Sequence, residues 1–233
     1  MLKKDLIFRN PLRLMGDHTE EILPVGGFGA VLARAGVGKT ALLVQIALER
    51  LISNNDVLHL SLNDPIDKTC LWYKEVFQNT AKQANVSQTS EIWDNIRRHR
   101  FVMAFEEGEF NVAKFESRLL ELTEQEVLNP KVILVDGLSF DDESVGAQLK
   151  ELKELATKNE LRVWFAIRTH RHEDPGPSGI PSQLSVNKDL FEAAIQLLPE
   201  GKEINVKILK GGTPSDNRPA LLLDPATMLI KNA

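Results

Sequence analysis

Cysteine is almost absent from this chain: Cys70 is the single one in 233 residues. One thiol can build neither an internal disulfide framework nor a Cys-rich zinc site, and a buried structural thiol is its expected state. Positive charge is not in excess either. The 28 Lys and Arg against 33 Asp and Glu leave a net charge of −5. That balance argues against a strongly basic nucleic-acid binder, although a local basic cluster is compatible with it. No apolar run approaches the roughly 20 residues of a membrane span. Residues 1–11 carry basic side chains but no uninterrupted apolar stretch, so no secretory signal is expected. The expectation is a cytoplasmic chain with no membrane partner. Neither an internal repeat nor a second domain is visible. The 42% hydrophobic and 26% charged residues are ordinary for a globular protein, and the length allows a substantial core.

Against that plain background one stretch stands out. Gly29-Ala30-Val31-Leu32 is apolar, and Ala33-Arg34-Ala35-Gly36-Val37-Gly38-Lys39-Thr40 is small-residue-rich and ends in Gly-Lys-Thr. Ala41-Leu42-Leu43-Val44-Gln45-Ile46-Ala47-Leu48 then reads as an apolar helix. Strand, glycine loop and helix in this order are the setting in which a phosphate-binding loop works. Backbone N–H groups of Ala35, Gly36, Val37, Gly38, Lys39, Thr40 and Ala41 are placed to curl around phosphates, and the helix N-terminus adds partial positive charge. Lys39 can reach the outer phosphates, and the Thr40 hydroxyl can ligate Mg²⁺. Gly36 and Gly38 suit the loop because a side chain there would block backbone approach or forbid positive φ. The first position, Ala33, departs from glycine but stays small. The competing reading is a surface turn with an exposed lysine, which the strand and helix on either side disfavour.

The rest of the chain alternates. Residues 1–26, with Pro11, Gly16, Pro24 and Gly26, read as an arm or lead-in, and 27–233 as one domain. Strands are expected at about 28–32, 57–62, 101–105, 131–137 and 161–167. The helix from Lys39 to about Ile52 leaves Gln45, Glu49 and Arg50 for a narrow wet side. A second helix follows Asn63-Asp64-Pro65, with Asp64 as N-cap and Pro65 at N1, and runs to about Gln83. Residues 84–99 are polar, with a short helix conceivable over 91–100. Asn111 caps an amphipathic helix through Val112, Phe115, Leu119 and Leu122. Val145, Leu149, Leu152, Leu155 and Ala156 mark another. Strands alternating with helices indicate a doubly wound sheet. Residues 170–187 read as a long functional loop. After it, 191–198, 203–209 and 220–223 read as strands without helices between them, an antiparallel ending.

Asp136 closes Val132-Ile133-Leu134-Val135, the most apolar strand. Ligands in open parallel sheets sit beyond the carboxyl ends of strands, and an acid there can hold the Mg²⁺ that bridges phosphates. The alternative is a turn aspartate before Gly137. Together, the loop, the strand ending in Val135-Asp136-Gly137-Leu138 and the terminal meander resemble the RecA-like P-loop ATPases. The KaiC-like and replicative-helicase-like branches are the most similar, over about residues 24–231. The resemblance implies a three-layer α/β P-loop NTPase fold with a mainly parallel central sheet and a C-terminal antiparallel meander. It also implies ATP and Mg²⁺ as ligands and slow hydrolysis.

Within that resemblance, the water-activating glutamate falls at Ser61-Leu62-Asn63-Asp64-Pro65. Asn63 takes the first acid position, and Asp64 is the candidate base, one methylene shorter than glutamate. The γ-phosphate sensor falls at Thr169 or His170, next to Arg168. Lys210 matches a lysine that ring-forming relatives insert into a neighbour's site, while Gly212 stands where their arginine would be and Arg218 is a weak substitute. A homo-oligomer or a regulatory protein partner is therefore open.

His170-Arg171-His172-Glu173-Asp174 resembles a metallo-β-lactamase signature, but Pro175 replaces the next histidine, and His18, His59 and His99 show no ligand spacing. Residues 171–187 contain no aromatic side chain to stack on bases, so nucleic-acid binding is not expected. No guanine-reading tetrad is present; Asn187-Lys188-Asp189 lacks the intervening residue. Two rivals stand beside the ATPase reading. One is a nucleotide-binding regulatory module without turnover. The other is a small-molecule kinase, for which Arg168 and Arg171 are the only lid candidates and which the unbroken terminal meander disfavours.

Overall fold

The computed structural model describes residues 22–87, 89–106, 108–170, 179–211 and 220–232. Its first half alternates strand and helix: β1 (Phe28–Ala33), α1 (Lys39–Ile52), β2 (Val57–Ser61), α2 (Ile66–Gln83), α3 (Thr89–His99) and β3 (Arg100–Ala104). Next come α4 (Val112–Glu124), β4 (Val132–Asp136), α5 (Val145–Lys158) and β5 (Arg162–Arg168). A one-turn helix, α6 (Ser182–Ser185), precedes β6 (Ala193–Glu200), β7 (Glu203–Lys210), β8 (Leu221–Leu223) and β9 (Ile230–Asn232). The fold is α/β, with a mostly parallel central sheet and a C-terminal antiparallel meander.

One sheet joins all nine strands in the order β3-β2-β4-β5-β1-β6-β7-β8-β9. The six from β3 to β6 are parallel, and β7, β8 and β9 pair antiparallel. Side-chain alternation divides the core into two layers. Val31, Val57, Leu134, Trp164 and Ile195 face α1, α2 and α3. Phe28, Leu32, Leu58, Ile133, Phe165 and Ala194 face α4 and α5. With both faces covered, the central strands have no wet side, which is why they read as continuous apolar runs. Gly29 reflects this crowding: a Cβ there would lie 2.5 Å from the Trp164 ring on β5.

The crossovers obey one handedness. Moves from β1 to β2 and from β2 to β3 pass over the α1–α3 face, while the reverse moves from β3 to β4 and β4 to β5 pass over the α4–α5 face. Leu184 and Phe191, on the way to β6, also pack in the α4–α5 layer. Adjacent strands β1 and β5 therefore send their following segments to opposite faces, and so do β2 and β4. Each such divergence opens a crevice at the carboxyl end of the sheet.

Several local expectations need correction. Gln45 is not on a wet side: it is 6% exposed, because its amide bonds the backbone of the β8–β9 turn. Pro65, not Asp64, holds the N-cap position of α2, and no side chain caps that helix. The polar stretch before β3 is a full helix, α3, whose charged outer side hides the buried Ile92 and Ile96. β9 was not foreseen, since three residues carry no periodic signal. α4 begins as expected, with the Asn111 side chain accepting from the Lys114 N–H at 2.8 Å. Residues 1–21 and 212–219, and with them His18, Gly212 and Arg218, lie outside the described residues, as do Arg171, His172, Glu173, Asp174 and Pro175. Among the described residues no helix is long and apolar enough to cross a membrane.

Candidate functional site

The loop between β1 and α1 lies at the β1–β5 crevice. Gly36 and Gly38 take φ of 76° and 113°, values that L side chains rarely adopt. Space beside Gly36 is open, with nothing within 4 Å of a would-be Cβ, and Ala35 is exposed. Gly38 is the N-cap of α1, a helix whose start has no side-chain cap. The first-turn N–H groups of such a helix have no intrahelical acceptors and suit an anion. Val37 is half-buried against the α1–α3 layer, and Ala41 is fully buried, so Ala41 can offer an incoming group only its backbone.

Lys39 folds over this loop, its Nζ donating to the carbonyls of Ala33 and Arg34 at 3.1 Å each. Burial lowers its pKa; the Asp136 carboxylate opposes that shift, and the Arg168 guanidinium adds to it. Thr40 Oγ1 donates to Asp136 Oδ2 at 2.5 Å, joining the first residues of α1 to the end of β4 across the intervening strand β5. Burial pushes the Asp136 carboxyl up, while the Thr40 hydrogen bond and the Lys39 charge hold it down. Lysine, hydroxyl and carboxylate, 97 residues apart at the extremes, thus form one compact polar group. Their oxygen donors are of the hard type that suits Mg²⁺.

The second crevice, between β2 and β4, holds Asn63 and Asp64. Asn63 Nδ2 donates to the Gly137 carbonyl at 3.1 Å, tying the two strand ends together. Asp64 Oδ1 pairs with Lys68 Nζ at 2.8 Å, one helical turn on, and Ser61 Oγ donates to the Asp64 carbonyl. Both charges of this pair act on Asp136, Asp64 raising its pKa and Lys68 lowering it. Lys68 was not singled out from the sequence; its i+4 spacing from Asp64 was the available signal.

Thr169 continues the β1–β5 pairing, its N–H donating to the Ala33 carbonyl at 3.0 Å, which sets it beside the glycine loop. His170 turns to the segment after β4, where its Nε2 meets Asp141 Oδ2 at 2.9 Å. Lys210 lies elsewhere. It pairs in register with Ala194 near the start of β6, at the sheet end opposite the loop, and its Nζ donates to the Lys188 carbonyl. Within one chain it is remote from Lys39.

No group of three metal-binding side chains occurs among the described residues. His59 is fully buried with Nδ1 against Tyr73 Oη at 3.1 Å, and burial holds its pKa down at about 3, so it is a neutral core residue. Compared with family models and with curated proteins, the chain matches none.

Proposed function

We propose that this protein is a RecA-like P-loop protein that binds ATP with Mg²⁺ and hydrolyses it slowly in the cytoplasm. The observation that carries the reading is the Thr40–Asp136 hydrogen bond, which joins a Gly-Lys-Thr helix start to the acid at the end of a central strand. Amides from Ala35 to Ala41 would hold the phosphates, Lys39 would exchange its loop carbonyls for phosphate oxygens, and Thr40 and Asp136 would hold the metal. When bound, Mg²⁺ neutralises charge on the phosphates and orients them. Asp64 is the candidate to accept a proton from the attacking water, and Thr169 or His170 the candidate to contact the terminal phosphate. Calorimetric titration with ATP and Mg²⁺ tests the binding half. The wild type should give a saturable signal, and Lys39→Ala should weaken it by about 100-fold, the scale for removing one partner of a buried charge contact. Absence of heat at millimolar ATP would end this account.

A second reading has its own observation. Asp64 is engaged by Lys68, and Asn63 by the Gly137 carbonyl. A base held in an ion pair favours a module that binds nucleotide without turnover and recruits a regulatory partner or a second copy. Single-turnover phosphate release separates the two.

A further inference from the structure

The glycine loop receives no side-chain cap from its own helix, yet the far end of the chain presses on it. A Cβ added to Gly38 would lie 2.7 Å from Leu223 Cδ2 and 3.3 Å from Met228 Sδ. Both residues belong to the β8 end and the turn that leads to β9. The same turn is fastened further along α1, where Gln45 Nε2 donates to the Met228 carbonyl at 2.7 Å and Gln45 Oε1 accepts from the Ile230 N–H at 3.1 Å. A buried amide on a helix face is costly to leave unpaired, so both bonds fix the register of turn against helix. Gln45 lies seven residues, roughly 10 Å, beyond Gly38, and the turn therefore grips α1 at two separate heights. Asn79 of α2 adds a third hold, donating to the Thr227 carbonyl at 2.9 Å. Inside the turn, Met228 takes φ 56°, an uncommon conformation for a long side chain, and its N–H donates to the Asp224 carbonyl at 2.7 Å. A backbone held there needs surroundings that over-determine it.

We infer that the 224–229 turn is a positioning element: Met228 and Leu223 set the Gly36–Thr40 backbone in the shape that accepts a polyphosphate, and Gln45 locks the turn to the helix. This rests on the nucleotide-binding reading above. Preorganising a site in its bound shape raises affinity by lowering the ordering cost of binding. The turn acts on the loop, so its effect extends to a ligand with no base or sugar.

Two probes test it, ATP with Mg²⁺ and inorganic tripolyphosphate with Mg²⁺, on wild type, Met228→Ala, Gln45→Leu and Met228→Leu. Melting followed by circular dichroism identifies the variants that fold. Met228→Ala and Gln45→Leu should weaken both probes by about tenfold. Amides of residues 36–42 should exchange hydrogen faster in the same two variants without ligand, and Met228→Leu should restore wild-type behaviour. Loss of ATP affinity with tripolyphosphate affinity unchanged would overturn the inference, because Met228 would then be a contact for the base. Unchanged amide exchange in a folded Met228→Ala would overturn it too. If the wild type binds neither probe, the nucleotide reading fails, and the exchange measurement still decides whether the turn holds the loop.

Discussion

The two crevices at the carboxyl end of the sheet are built differently. At β1–β5, Lys39 and Thr40 are half-buried, bonded to loop carbonyls and to Asp136, and mounted on a helix whose interior is fully packed. At β2–β4, Asp64 and Lys68 pair across one helical turn with side chains 34% and 57% exposed. His170 and Asp141 are likewise open to solvent, at 41% and 51%. The groups suited to holding a ligand are thus half-buried and bonded to the loop backbone and to one another, while Asp64, the candidate base, is held by an exposed lysine. Rigid, buried contacts suit affinity, and exposed pairs cost little to break and can rearrange. The proposed slow turnover follows from this difference.

Four substitutions or conditions probe that contrast, in descending size. Asp64→Asn should reduce single-turnover phosphate release by about 10²–10⁴-fold, the worth of a positioned base, with ATP affinity unchanged. Wild-type release no faster than background assigns the protein to the module reading, and a measurable rate that the variant leaves unchanged removes Asp64 as the base. Asp136→Asn should weaken ATP by about tenfold in the presence of Mg²⁺ and much less in its absence, since an amide oxygen can still accept from Thr40 but supplies no charge to the metal. Equal losses in both titrations would remove Asp136 from the metal site.

The third probe is acid. His59 binds its proton at about 3 in the fold and near 6.5 when unfolded, so the unfolded chain holds more protons between those values. Its stabilising contribution is complete above pH 6.5 and is lost as pH falls toward 3. Urea midpoints of the wild type should drop more steeply from pH 7 to pH 4 than those of His59→Phe; parallel curves would contradict this. The smallest effect belongs to Lys68→Ala. Removing an exposed partner should change stability by less than about 1 kcal/mol, while freeing Asp64 should raise the hydrolysis rate a few-fold. A rate that falls would mean that Lys68 assists the chemistry.

Legibility along the chain follows burial and locality. The glycine loop and β4 could be read because each is a continuous run whose meaning lies in its own neighbours. Asn111 as a cap was legible for the same reason, its partner Lys114 being three residues away. Gln45 was misread because a polar amide inside an apolar helix is indistinguishable from a solvent-facing one until its partners, 183 and 185 residues distant, are known. Asp64 was misassigned as a cap because Asp-Pro fits a helix start one residue either way. β9 escaped notice because its pairing with β8, not its composition, makes it a strand.

By itself the sequence determined the alternation of strands and helices, the glycine loop and the acid that ends β4, since these depend on periodicity and short-range backbone geometry. Only the tertiary structure decided that Thr40 meets Asp136 across β5, that Asp64 belongs to Lys68, and that the β8–β9 turn backs the glycine loop. Those contacts depend on strand order and on which face each crossover takes, and spacing along the chain does not encode either.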